Sequence, residues 1–76
     1  MNKSEWAINL LRDDFFIEMM EELRGMEMAK FLNSDYSDID QREDAYMRLR
    51  VLESIDNHIQ GLADQKLIDT KKFKIL

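Results

Sequence analysis

Sixteen carboxylates and one histidine are the residues of this chain best suited to chemistry, and their spacing decides what they can do. Eleven of the Asp and Glu fall within residues 13–44, against only Arg24, Lys30 and Arg42. Glu18, Glu21 and Glu22 share one side of a helical segment, because residues three and four apart are neighbours on a helix surface. Glu53 and Asp56 stand the same way further on. Two helices that each offer a carboxylate make half of a di-iron carboxylate site, which also needs Glu-x-x-His. The one histidine, His58, has Ser54 and Ile55 at four and three residues before it, so that pattern is absent. Ser54 is within hydrogen-bonding reach of His58, but a Ser/His pair with no third member and no oxyanion hole does not make an acyl-transfer site. There is no cysteine, no glycine-rich phosphate loop and no dinucleotide fingerprint. The expectation is a protein that is not an enzyme, with no catalytic residue, no cofactor and no metal ligand.

The elements that would position side chains are helical. Seventy-six residues hold two glycines and no proline, so the usual punctuation of strands and turns is missing. Residues 4–12 read as a short first helix, apolar at Trp6, Ile8, Leu10 and Leu11, with Ser4 as its N-cap. Asp13 and Asp14 supply a cap and favourable charge for a second helix over residues 14–32. Its stripe is Phe16, Met19, Met20, Leu23 and Met26, interrupted by Glu27 and Lys30. Gly25 in mid-helix suggests a close approach or a bend. Asn33 to Asp38 is a polar break, and Asp38 with Gln41 fits a capping box opening a third helix over residues 39–64. There Ala45, Leu49, Leu52, Ile55, Ile59 and Leu62 form the stripe. The fold expected is all-α: an antiparallel two-helix hairpin in one domain, with a short N-terminal helix and an irregular basic tail at 66–76. Phe16, Leu23, Leu49, Leu52, Ile55 and Ile59 are the expected hairpin core, and Met19, Met20 and Met26 are expected to fill it.

A chain this short buries only about 60% of its unfolded surface, so a partner or a second copy is the natural supplement to its core. A helix of about 26 residues is about 39 Å long, more apolar stripe than one short partner covers. Trp6, Met28 and Phe31 are surplus to a hairpin core and are expected at a partner interface. Lys71, Lys72, Phe73, Lys74 and Leu76 join them, since a tail that alternates lysine with apolar groups has reason to dock. Residues 66–76 carry four lysines against one aspartate, net +3, which leaves −8 on residues 1–65 for a total of −5. The acidic body argues against nucleic acid as partner. No apolar run reaches the ~18 residues of a membrane span, and no signal peptide is evident. A cytoplasmic protein that binds protein is expected. The acidic run Asp35, Asp38, Asp40, Glu43 and Asp44 allows an alternative: an inhibitor of a host defence or nucleic-acid enzyme, acting through a DNA-mimicking surface.

The stretch from Asp40 to Ile55, with its Arg-Glu, aromatic and spaced leucines, resembles the second half of small helical phage and prophage proteins encoded near head and packaging genes. Asp-Asp-Phe-Phe at 13–16 and Ala63 to Leu67 are similar to the two ends of that pattern, so the likeness covers about residues 10–68. It implies a virion-assembly or packaging accessory in the host cytoplasm or on the virion, either a homo-oligomer or a client of a larger phage protein. It carries no catalytic residues over.

Overall fold

The computed structural model describes the backbone of residues 2–75 and the side chains of residues 2–65. The described chain is all-helical: α1 (Lys3–Leu11), α2 (Asp14–Leu32) and α3 (Ile39–Ile75). Two residues join α1 to α2, and a polar loop joins α2 to α3. At 1.5 Å per residue α3 is about 55 Å long, which accounts for the longest dimension of the molecule, 59 Å. The other two helices pack on it rather than on each other, α2 along its first half and α1 along its second.

Local chemistry sets each helix start. Asn2, not Ser4, caps α1: its Oδ1 accepts from the Glu5 N–H at 2.8 Å. Asp13 caps α2 as expected, accepting from the Phe16 N–H at 2.9 Å. Asp38 precedes α3, but its carboxylate turns back to accept from the Asp35 N–H at 3.2 Å, where a capping box had been expected. Arg42 closes the same loop, donating to the carbonyls of Asp35 and Tyr36 at 3.0 and 3.3 Å. Ser34 donates back to the Phe31 carbonyl at 2.8 Å, which ends α2.

Two expectations about these elements change. Helix α3 continues through residues 66–75, where an irregular tail was expected after a helix ending near 64. No proline or glycine follows Gly61, and lysines near a helix C-terminus compensate its dipole, so nothing in the local sequence stops the helix. Gly25 marks neither a close approach nor a tight contact, since a methyl group added there meets nothing within 4 Å. The same is true of Gly61. With no positive φ to accommodate, Gly25→Ala is expected to raise stability by about 1 kcal/mol through helix propensity alone. Urea unfolding followed by circular dichroism checks this, and an unchanged or lower midpoint would contradict it.

The core is thin. Ala7, Ile59 and Ala63 form its buried centre, with Ile8, Leu10, Leu11, Phe16 and Leu62 packed around them. Met20 and Ala45 are buried between α2 and α3. Small residues at 7, 45 and 63 let the helix axes approach. Among the described residues no large side chain is fully buried.

Candidate interaction surface

The residues with chemical potential are dispersed. His58 is exposed, and the Ser54 hydroxyl donates to the Arg50 carbonyl at 3.0 Å rather than to the imidazole. Glu18, Glu21 and Glu22 are exposed, Glu53 pairs with Arg50 at 3.1 Å, and Asp56 pairs with Arg24 across α2 and α3. Among the described residues no three metal-capable side chains cluster. No helix there is long and apolar enough to cross a membrane. An open concavity of about 440 Å³ lies around residues 37–41.

One charged residue does sit between helices. Glu27 is buried in α2 against α3, where the sequence pattern called for an apolar side chain. Its Oε1 accepts from Lys30 at 3.2 Å, and its Oε2 lies 3.7 Å from an Arg48 nitrogen, too far and too loosely held to count as a hydrogen bond. Leu23, Val51 and Leu52 complete a groove of about 250 Å³ over this pair.

That groove is the middle of a longer apolar strip. On α2 the side chains of Met19, Leu23 and Met26 recur at three- and four-residue steps, and on α3 those of Met47, Val51 and Ile55 recur at four, so each set lies along one side of its helix. All six are between 37% and 64% exposed. Phe15 stands nearly free at the end of the α2 row. Four of these residues depart from expectation. Leu23 and Ile55 were expected in the core, and Met19 and Met26 were expected to fill it, yet only Met20 of those three methionines is buried. The reason is geometric: along the first half of α3 only α2 lies beside it, and one helix covers only the middle of a stripe that wide. Phe16, Leu49 and Leu52 are half-buried for the same reason, and Ile59 is buried because α1 also covers it.

The expected interface residues do not form one patch. Trp6 is half-exposed on α1, about 200° around the helix from Ile8. Met28 is about 200° around α2 from Met26, on the other side of the molecule. Phe31 lines a separate shallow groove with Ile39, Arg42, Glu43 and Tyr46. The side chains of Lys71, Lys72, Phe73, Lys74 and Leu76 lie outside the described residues. Of the acidic run, Asp35, Asp40, Glu43 and Asp44 are exposed and Asp38 is half-buried in the loop it braces. The expected stripe of α3 contains neither Met47 nor Val51. The signal for both was the four-residue row that they make with Ile55.

The strip belongs to a molecule with too much surface. A compact chain of 9.1 kDa exposes about 4,900 Å², whereas this one exposes 6373 Å². Its radius of gyration is 17.1 Å, against about 11 Å for a compact domain of this length. Comparison with protein-family models, with curated proteins and with solved structures returned no match.

Proposed function

We propose that this chain is a non-enzymatic helical interaction protein that works by self-assembly. The observation that carries the reading is the apolar strip on a body that exposes roughly 1,500 Å² more than a compact chain of its mass. Monomeric soluble proteins rarely leave contiguous apolar patches beyond a few hundred Å², and larger ones mark protein interfaces. The methionines suit this use, being flexible enough to repack against a second surface. A role as an accessory of virion assembly or packaging rests on the resemblance of residues 10–68 alone.

Absolute mass by light scattering, at two concentrations of the full chain tenfold apart, tests the reading. A mass of two or more whole multiples of 9.1 kDa is expected. A monomer at both concentrations overturns self-assembly and leaves docking on a different protein.

A further inference from the structure

We propose that the occupant of the strip is a second copy of this chain, laid face to face with its long axis reversed. Two copies then enclose Met19, Leu23, Met26, Met47, Val51 and Ile55 in an antiparallel assembly of their α2 and α3 helices. The proposal rests on the self-assembly reading and adds to it the surface and the orientation.

Area is the first argument. A standard interface takes about 800 Å² from each partner, and the molecule exposes roughly 1,500 Å² beyond what its mass requires. Six half-exposed side chains in one strip, with Phe15 beyond them, supply most of a standard interface. Glu27 on the floor of the strip has Lys30 and Arg48 beside it, so the charge that closing the strip encloses is partly balanced.

Charge along α3 sets the orientation. The helix opens in net acid, with Asp38 just before it and Asp40, Glu43 and Asp44 against Arg42, and ends in net base, with Lys66, Lys71, Lys72 and Lys74 against Asp69. Asp40 and Asp44 continue, at three- and four-residue steps, the side of α3 that carries Val51 and Ile55. Two copies running the same way would set acid beside acid and base beside base. Reversed copies set each acidic start beside the other's basic end, and like charges no longer meet.

The two patterns agree in register. The acidic and basic blocks are balanced about a point near residue 56. The apolar row of α3, from Met47 through Val51 and Ile55 to the half-buried Leu62, is centred near residue 54. One two-fold axis crossing the strip there satisfies both, and a two-fold interface is self-complementary by construction. Neighbouring helices in the assembly are antiparallel, so their dipoles also compensate.

The absence of cysteine makes the test direct, since one introduced cysteine carries one spin label per chain. Ser54→Cys and Gln41→Cys both change exposed residues of α3. In the full chain, labels at 54 lie close to the axis and give a short distance between copies. Residue 41 is thirteen residues away, about 20 Å along the helix, so reversed copies hold its labels about 40 Å apart. Equal distances at both sites mean copies running the same way and overturn the orientation. Val51→Glu and, separately, Met26→Glu change half-exposed side chains and are expected to leave helicity intact while weakening association at least 100-fold. Association unchanged by both overturns the strip as the interface. A wild-type chain that stays monomeric overturns the self-assembly reading itself, a failure distinct from the other two.

Discussion

Ile59→Ala is expected to lower the folding free energy by about 2–4 kcal/mol, the range for emptying a buried aliphatic site that cannot collapse fully. Ile59 is the one large aliphatic side chain in the buried centre that holds α1 to α3, and its neighbours there are Ala7 and Ala63. Alanines cannot swing into the space that isoleucine leaves. A domain of this size has only a few kcal/mol in total, so the loss approaches the whole. The predicted result is a chain that keeps much of its helicity at low temperature but unfolds at a small fraction of the wild-type urea midpoint. Tyr36→Ala is the control, because Tyr36 is 96% exposed and surface changes of that kind fall within about 0.5 kcal/mol. Both are to be measured at one protein concentration, since self-association adds concentration-dependent stability. A midpoint for Ile59→Ala within error of Tyr36→Ala would place the core elsewhere.

Glu27→Leu is expected to act in the opposite direction and stabilise the fold by about 1–3 kcal/mol. Glu27 is one of the most enclosed side chains of α2, and one of its carboxylate oxygens has no hydrogen-bond partner. Taking a carboxylate out of water costs several kcal/mol, which a distant arginine and a half-exposed lysine offset only partly. Leucine fits the same groove beside Leu23, Val51 and Leu52 and continues the apolar face of α2. Arg48→Leu gives the matching contrast. It leaves the buried carboxylate with Lys30 as its cation and is expected to cost about 1 kcal/mol, a small figure because Arg48 is itself largely exposed. Chemical denaturation of the two variants reads both signs. If Glu27→Leu destabilised the chain by more than Arg48→Leu, the carboxylate would be a net contributor to the fold.

A gain of stability in Glu27→Leu would mean that the chain carries this carboxylate at a cost to its fold. A buried carboxylate at the floor of an apolar strip can fix which surfaces meet and in which register, as a single polar residue does in a coiled coil. Glu27→Leu therefore has a second use in the self-assembly experiment. Loss of a single discrete mass alongside a gain in stability would identify Glu27 as the residue that restricts how the strip can pack.

Much of the helix pattern was legible in the residues themselves. Asp13 ahead of Phe16, the absence of proline and the polar run from Asn33 to Asp38 each act within a few residues of chain, so their consequences can be read locally. The end of α3 was misread because a loose apolar pattern after Leu62 suggested fraying, although no residue there breaks a helix. The four-residue rows of Met19, Leu23 and Met26 and of Met47, Val51 and Ile55 were also visible. Whether such a row is core or surface was not, because periodicity gives the direction of a side chain and not what lies opposite it.

The sequence by itself determined that the described chain is helical, where α2 begins and ends, and that its charge runs from acid to base. Tertiary structure decided which apolar residues are covered. With α1 and α2 both packed along α3, no further helix among the described residues closes the side that carries Leu23, Met26, Val51 and Ile55, and Leu23, Met26 and Ile55, patterned as core, stand at the surface. The physical reason is that local propensity and periodicity are properties of a few neighbouring residues, whereas burial depends on how many helices the chain has left to lay against each face.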